Sequence, residues 1–321
     1  MTVGIVLAGA VALALYAAMA LHRLLSGEWL PTDVAREWRL SRLDLSELDR
    51  RWQNASTRSS LLISLTTIPS RIESLDDSLK SLLDQTRLPA RIILNVPDYS
   101  VREKRPYVIP PRLAALASLE IRRCKDWGPA TKLIPTVLVE APDQPILVAD
   151  DDRIYPPFFV ERMEVEAGRH PDAALTFAGI VVPEDLTDRP TTLMSNLLSV
   201  PPAPVRCHRL RHPAPVDILL GVFGYLVRPK HFDASALCDF SREPGETWFV
   251  DDVRSSALCR ADKLVIPAPL LSHIPKKRFF HFKRTALGRI NRGPGGNANR
   301  HNTVGYRHFT RFWQVGGPKR G

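Results

Sequence analysis

Three consecutive carboxylates are the residues of this chain best suited to chemistry. Asp150, Asp151 and Asp152 directly follow the apolar run 145–149, which has the length of a buried strand. If the backbone stays extended, Asp150 and Asp152 project from one face with their Cα atoms roughly 7 Å apart, and Asp151 points away. Two carboxylates facing one way suit Mg²⁺ or Mn²⁺ carrying a substrate diphosphate. The pattern predicts a metal site at Asp150 and Asp152; the competing interpretation is a solvated acidic turn.

The patterns around the acidic triplet predict an α/β fold. Short apolar runs at 61–65, 92–96 and 119–121 are typical of strands, and apolar residues recur every three or four positions from Ile72 to Leu83, as in a helix. The order strand, helix, strand implies parallel pairing. Residues 126–133 predict a turn into a helix that bends or ends near Pro135. We expect an open, mostly parallel twisted sheet with helices on both faces, whose ligands bind at the carboxyl ends of the strands.

An uncharged apolar segment lies near the amino terminus. Residues 3–21 contain no charged side chain and, as a helix, would be about 28 Å long, close to the roughly 30 Å hydrocarbon thickness of a bilayer. This predicts one membrane-spanning helix. A cleaved signal peptide is the competing interpretation, because residues 18–20 read Ala-Met-Ala, although no Lys or Arg precedes the segment. Arg23, Arg36, Arg39 and Arg42 follow it, which favours a cytoplasmic position for the rest of the chain.

Charge and cysteine content limit the classes of partner. The 321 residues carry 44 Lys and Arg against 34 Asp and Glu, a formal net charge of +10. This excess favours polyanionic partners such as nucleic acid, anionic lipid or nucleotide diphosphates, without choosing among them. The four cysteines are far apart and form no CxxC pair, which argues against a zinc site and against a disulfide framework.

The chain divides into four segments. We expect an anchor at 1–25, a stalk or juxtamembrane helix at 26–60, the α/β domain at 61–275 and a basic tail at 276–321. Three hypotheses exist for the tail: closure over a bound diphosphate, with His273 or His281 as a metal ligand, adhesion to anionic lipid, or solvated disorder.

Five motifs in order resemble the glycosyltransferases of family 2 and their relatives with the nucleotide-sugar-binding fold GT-A, and especially a bacterial subgroup. The motifs lie at 64–72, 126–135, 150–156, 221–225 and 251–252. The resemblance implies that residues 61–275 form a GT-A domain that transfers a sugar from a nucleotide-sugar donor. We expect inversion, a glycan or lipid-linked acceptor and a role in polysaccharide biosynthesis. The apolar segment and the basic tail lie outside the resemblance; the apolar segment by itself predicts a single-pass protein, which we expect in the bacterial inner membrane.

The resemblance further implies roles for single residues. Asp152 is the more direct ligand of Mn²⁺ or Mg²⁺, with Asp150 beside it. A general base must take the proton of the acceptor hydroxyl, and Asp251 or Asp252 is the residue implied, with Asp251 the better match to the motif. Capping of a helix is the alternative role for both. The residues expected to contact the nucleotide sugar are Thr66, Arg71, Asp126, Lys132 and Asp151. The alternatives are an exposed surface lysine for Lys132 and a helix-capping role for Asp126.

Two other functions remain open from the residues alone. A nucleotidyltransferase or a phosphohydrolase also gathers carboxylates around a metal ion. The net charge also permits a membrane-attached nucleic-acid-binding protein, but the basic residues lack interleaved aromatic residues outside 279–280 and 309–313, which makes nucleic acid the less favoured partner.

Overall fold

An eight-stranded sheet forms the centre of the protein in the computed structural model, which describes residues 2–318. The strand order is β10-β13-β7-β12-β6-β1-β2-β5; β11-β8-β9 form a second sheet, and β3 pairs with β4. The strands are β1 Leu62–Thr66, β2 Arg91–Pro97, β3 Tyr99–Ser100, β4 Arg105–Pro106, β5 Leu119–Cys124, β6 Ile146–Val148, β7 Ala174–Thr176, β8 Ala178–Ile180, β9 Val205–Arg206, β10 Ala214–Pro215, β11 Ile218–Leu219, β12 Tyr225–Val227 and β13 Lys263–Val265.

Most strands of the large sheet are parallel. β1 pairs in parallel with β2 and with β6, β2 with β5, and β13 with β7. β12 is antiparallel to both β6 and β7, and β10 is antiparallel to β13. The predicted open, mostly parallel α/β sheet is therefore confirmed, with two strands that run against the others.

Helices cover both faces of this sheet. They are α1 Thr2–Ser26, α2 Leu30–Ser41, α3 Leu45–Gln53, α4 Asp76–Leu83, α5 Pro111–Ala114, α6 Ile134–Val139, α7 Phe159–Arg169, α8 Leu193–Leu198, α9 Ala234–Cys238, α10 Asp251–Leu258, α11 Phe279–Thr285, α12 Leu287–Ile290 and α13 His301–His308. Successive side chains of a strand point to opposite faces. Ile63 accordingly packs with Leu79 of α4 and Met163 of α7, while Leu62 packs with Ile134 of α6 and Leu237 of α9.

Proline placement corrects one helix boundary. Pro135 was predicted to bend or end a helix, yet α6 begins at Ile134, so that Pro135 lies in its first turn. The physical reason is that the missing N–H of proline has no partner in the first turn of any helix, and its fixed φ is already helical. The helix predicted before Pro135 is one 3₁₀ turn at Ala130–Lys132.

Helix α1 is exposed along the apolar part of its length. Within the described residues, Gly4–Ser26 is long and apolar enough to cross a membrane, and a signal sequence would meet the same test. Residues 26–60, expected as a stalk or juxtamembrane helix, form α2 and α3, which pack against the sheet domain through the buried Leu40, Leu48 and Trp52.

The basic tail is largely folded. Tyr306, Phe309 and Trp313 form a buried cluster with Val250 and Val253 at the start of α10. Burial of these aromatic rings provides the apolar area that holds α13 on the domain. Residues 276–318 therefore do not form a solvated disordered segment, and residues 319–321 of the predicted tail lie outside the described residues.

Candidate functional site

All nine residues selected from the sequence line one cavity of about 380 Å³. The cavity lies where β1 and β6 end, which is the edge at which open α/β sheets bind ligands. Its volume is in the range of pockets that hold small organic ligands. The shared lining residues are Thr66, Arg71, Asp126, Lys132, Asp150, Asp151, Asp152, Asp251 and Asp252.

The acidic triplet forms a turn and is not an extended strand end. β6 ends at Val148, and Asp151 and Asp152 occupy a turn. The expectation that Asp150 and Asp152 share one face while Asp151 points away is therefore wrong, because alternation of side chains holds only while the backbone is extended. Asp150 faces Lys132, whereas Asp151 and Asp152 both face Arg71.

Lys132 is surrounded by three carboxylates. Its Nζ lies 2.8 Å from Asp150 Oδ1, 3.0 Å from Asp251 Oδ2 and 3.6 Å from Asp252 Oδ1. Burial alone would lower the pKa of the Lys132 ammonium, but the three negative charges raise it well above its ordinary value. Lys132 is therefore charged at neutral pH. The alternative of an exposed surface lysine is wrong, since only 6% of Lys132 is accessible.

Asp251 and Asp252 differ in their access to the cavity. Both begin α10, and the Asp252 side chain is 25% exposed against 8% for Asp251. Asp252 Oδ2 accepts a hydrogen bond of 2.9 Å from the Gly221 N–H, whereas Asp252 Oδ1 and Asp251 Oδ2 are buried without a hydrogen-bond partner. Burial, together with the charges of Asp251 and Asp150, raises the pKa of Asp252 to about 7 against the opposing effect of Lys132.

Arg71 holds the other two members of the triplet. Its Nη1 donates to Asp151 Oδ1 at 2.9 Å and to Asp152 Oδ2 at 3.0 Å. Thr67 Oγ1 donates to Asp151 Oδ2 at 2.6 Å, so Asp151 is buried and fully engaged. Burial and the charge of Asp151 raise the pKa of Asp152 to about 6, although Arg71 and Arg153 oppose this. Of the two, Asp152 is the more exposed to the cavity, at 17% of its side chain against 9% for Asp151.

Thr66 and Asp126 make structural hydrogen bonds at the cavity wall. Thr66 Oγ1 donates to Asn95 O at 2.8 Å. Asp126 Oδ1 accepts from the Gly128 N–H at 2.7 Å, and its Oδ2 accepts from the Val101 N–H at 2.8 Å. Asp126 thus stabilises the turn at Gly128, close to the capping role that was the alternative interpretation.

Three residues at the site were not selected from the sequence. Tyr155 Oη accepts from the Asp150 N–H at 2.7 Å and so fixes the start of the triplet. Phe282 of α11 lies with its ring 5.3 Å from the Arg71 guanidinium, and Thr285 Oγ1 accepts from Arg71 Nε at 2.9 Å. Tyr155 belongs to the motif at 150–156, so its position was available as a signal. No local pattern connects α11 with Arg71, more than 200 residues earlier in the chain.

The donor set suits a hard divalent cation. Around Lys132 three carboxylates face one ammonium, and two buried carboxylate oxygens lack hydrogen bonds. Among residues 2–318, however, no group of three or more His, Cys, Asp or Glu side chains is arranged to hold a metal ion. Mg²⁺ and Mn²⁺ sites in nucleotide-dependent enzymes commonly use one or two carboxylates and complete their shell with substrate phosphates and water, so the pair Asp150 and Asp152 at the edge of this cluster fits such an ion.

His273 is not available as a metal ligand. Its Nε2 lies 3.0 Å from Glu37 Oε1, and its Nδ1 lies 3.3 Å from Asp33 Oδ1, both in α2. The hypothesis that His273 binds a metal beside the tail is therefore wrong, because both ring nitrogens already face carboxylates that attach α2 to the domain.

No protein-family model and no curated protein matches the sequence. Solved structures with a similar chain trace include the following three. The mannosyltransferase PcManGT from Pyrobaculum calidifontis, in complex with GDP-Man and Mn²⁺, has a TM-score of 0.46 at 14% identity over 93% of this chain and 76% of that one. A 4-diphosphocytidyl-2C-methyl-D-erythritol synthase has a TM-score of 0.41 at 13% sequence identity, over 72% of this chain and 99% of that one. Residues 1–349 of S. aureus TarS have a TM-score of 0.38 at 13% sequence identity, over 78% of this chain and 72% of that one. At these values the similarities carry no argument about function.

Proposed function

We propose that this chain is a metal-dependent glycosyltransferase that moves a sugar from a nucleotide-sugar donor to a glycan or lipid-linked acceptor, with inversion. The observation that carries the proposal is the meeting of two acidic motifs, 150–152 and 251–252, on one cavity at the end of β1 and β6. A diphosphate leaving group needs positive charge where its negative charge develops, and an acceptor hydroxyl needs a base nearby. The cavity has residues for both tasks.

The donor diphosphate would be held at the side of the cavity that contains the triplet. Asp152, with Asp150, would hold Mn²⁺ or Mg²⁺, which when bound supplies Lewis-acid stabilisation of the leaving diphosphate. Lys132, Arg71 and Arg153 also line the cavity and keep cationic groups beside the same carboxylates. Asp151 supports this arrangement by holding Arg71, so we assign it a positioning role in place of the predicted contact to the sugar.

Asp252 is the better placed general base. Its side chain is more exposed to the cavity than that of Asp251, and the Gly221 N–H fixes the orientation of the carboxylate. A base works best when its pKa lies near the working pH, and the pKa of Asp252 of about 7 meets that condition. Asp251 would then position Lys132, from which its Oδ2 lies 3.0 Å. This reverses the preference for Asp251 that followed from motif matching.

Product analysis tests the proposal. The full-length protein is incubated with a panel of nucleotide sugars, with Mn²⁺ or Mg²⁺ or with chelator, and with glycan and lipid-linked acceptors. We expect nucleoside diphosphate release and sugar on an acceptor, both lost with chelator. Asp152→Asn and Asp252→Asn should each lower the rate by about 100-fold or more, as expected for loss of an electrostatic or base function.

Asp143→Asn provides the matched control, because Asp143 is 81% exposed and pairs with the surface Lys230, away from the residues that line the cavity. Its rate should equal that of the wild type. Release of pyrophosphate with a nucleotidyl product would identify a nucleotidyltransferase, and release of phosphate without an acceptor would identify a phosphohydrolase. Either result, or full activity of Asp152→Asn, would contradict the proposal.

A further inference from the structure

Helix α8 presents its apolar side chains to the outside. Leu193, Met194 and Leu198 are 61%, 62% and 63% exposed. Leu197 and Val200 extend the same surface with exposures of 39% and 45%. We call these five residues the α8 apolar face. Isolated apolar side chains are common on protein surfaces, but a contiguous group of this kind marks a contact site for another apolar phase.

The inner side of α8 is polar. Ser195 is only 5% exposed and forms a capping box with Thr192, in which each side chain bonds the backbone of the other. Asn196 Oδ1 accepts from Arg206 Nη1 at 2.8 Å. A helix on a water-exposed surface normally turns its apolar residues inward and its polar residues outward. In α8 the arrangement is reversed, so its outer surroundings must be apolar for the helix to be stable in this orientation.

Arg209 attaches α8 to the carboxyl-terminal end of α1. Its Nε donates to Leu24 O at 3.1 Å, while its Nη1 donates to Asn196 O and to Ser199 Oγ. His208 Nε2 lies 3.3 Å from the same Leu24 carbonyl oxygen. Arg209, with His208 beside it, therefore joins the last turn of α1 to the carboxyl-terminal end of α8, and the α8 apolar face lies close to the end of α1.

The residues around this junction are those found at membrane interfaces. Trp29 lies just beyond the end of α1, where the Arg23 guanidinium is 5.7 Å from its ring. The Trp29 ring also packs edge to face on Tyr16, inside the apolar segment, with centroids 6.2 Å apart. Aromatic rings of this type concentrate at the headgroup level of bilayers. Arg206 and Arg209 add positive charge beside α8, which complements anionic headgroups.

We propose that α8 is an interfacial helix whose apolar face is inserted at the boundary between headgroups and acyl chains of an anionic phospholipid bilayer, the same bilayer that α1 spans. Interfacial helices are defined by an apolar face that enters the bilayer and by adjacent basic residues, and their length does not distinguish them. The chain would then have two contacts with the membrane, which fix the sheet domain at the lipid surface. The inference requires that α1 remains attached, and it does not depend on the reaction that the cavity catalyses.

Site-specific fluorescence tests the proposal in the full-length protein. Leu198→Cys is combined with Cys124→Ser and Cys238→Ser, which remove the two partly exposed thiols; Cys207 and Cys259 are buried. The protein is labelled with the polarity-sensitive dye NBD and reconstituted into vesicles of phosphatidylcholine and phosphatidylglycerol. We expect a blue shift of the NBD emission and loss of its intensity when the vesicles contain lipids with a nitroxide near the headgroup.

Val139→Cys in the same background is the matched control, since Val139 is an apolar residue of α6 with 66% exposure. Its label should show neither the shift nor the quenching. Met194→Cys gives a second position on the α8 apolar face if the label at residue 198 lowers the unfolding temperature. A label at residue 198 or 194 that behaves like the label at 139 would overturn the proposal. A blue shift without quenching by nitroxide lipid would also overturn it, because the face would then be covered by protein, such as a second copy of this chain.

Discussion

Lys132 occupies the position in the cavity where negative charge is densest. Three carboxylates lie within 3.6 Å of its Nζ, so one ammonium balances three carboxylates that would otherwise repel one another in a buried space. The remaining negative charge favours a divalent cation beside the same residues. Lys132 therefore has two effects that can be measured separately. It stabilises the fold when no metal ion is bound, and it limits how many carboxylate oxygens are free to bind a metal ion.

Lys132→Gln should destabilise the protein strongly when no metal is present. Removal of one partner from a buried ion-pair cluster costs roughly 3–5 kcal/mol because the remaining charges are left uncompensated. Addition of Mn²⁺ should raise the unfolding temperature of Lys132→Gln by more than it raises that of the wild type, because an ion that binds only the folded state stabilises it. Thermal unfolding with chelator and with Mn²⁺ measures both effects.

Lys230→Gln is the control, since Lys230 is 36% exposed and pairs with the exposed Asp143 and Asp172. Its free energy of unfolding should stay close to that of the wild type, because exposed ion pairs contribute little to stability. An unfolding temperature of Lys132→Gln equal to that of the wild type in chelator would show that the Lys132 cluster contributes no net stability.

At the scale of elements, Asp84 joins the amino-terminal helix α2 to α4. Asp84 immediately follows α4 and accepts from Arg39 Nε and Nη2 at 2.8 Å each, and Arg36 binds it from the same helix. Asp84 is 6% exposed. Burial alone would raise the pKa of this carboxyl, but the hydrogen bonds from Arg39 and the charge of Arg36 lower it below its ordinary value. These contacts make α2 part of the domain.

Asp84→Asn should lower the free energy of unfolding by about 3 kcal/mol at neutral pH, because Arg36 is left buried without its carboxylate. A carboxyl whose pKa is lower in the folded state stabilises the fold above its unfolded pKa and loses this effect as the pH falls. The difference between wild type and Asp84→Asn should therefore shrink as the pH falls below about 3.9. Denaturant unfolding at a series of pH values measures this.

Asp185→Asn serves as the comparison for this effect, because Asp185 pairs with Arg189 on the surface at 50% exposure. We expect a change below about 1 kcal/mol there. If Asp84→Asn were no less stable than Asp185→Asn, the contacts of Asp84 with Arg36 and Arg39 would contribute no net stability to the packing of α2.

At the scale of the whole molecule, the carboxyl-terminal segment connects the site to the fold. Tyr306 of α13, with Phe309 and Trp313 that follow it, packs on Val250 and Val253, which flank Asp251 and Asp252. α11 lies over Arg71 through Phe282 and Thr285, and Arg71 holds Asp151 and Asp152. The segment thus contacts neighbours of both acidic motifs, so its folding and the geometry of the cavity are expected to be coupled.

Phe309→Ala should lower the unfolding temperature of the entire domain. Phe309 is 3% exposed, and loss of a buried Phe side chain costs about 3–5 kcal/mol through lost burial and a residual cavity. Unfolding should remain a single transition when followed by circular dichroism and by tryptophan fluorescence. Phe280→Ala is matched in chemistry but removes a side chain with 86% exposure, so it should leave the transition unchanged. A separate early transition in Phe309→Ala would show that the tail unfolds independently.

Local sequence patterns predicted four strands of the main sheet and nine residues that line one cavity. Apolar runs of strand length predicted β1, β2, β5 and β6, because alternation and burial leave a direct trace in the sequence. The nine site residues also followed from short motifs, and they line the same cavity. The turn at Asp151 and the start of α6 at Ile134 did not follow, since both depend on what the backbone contacts after folding.

Residue identity and spacing alone established that carboxylates gather at a strand end, that helices flank a mostly parallel sheet and that residues 3–21 are apolar enough to span a bilayer. Only the tertiary structure decided which cation faces which carboxylate: Lys132 pairs with Asp150 and Asp251, while Arg71 pairs with Asp151 and Asp152. The tertiary structure alone also decided that α13 packs on α10 and that the α8 apolar face points outward. Periodicity is a property of neighbouring residues, whereas these pairings join residues that become neighbours only when the chain folds.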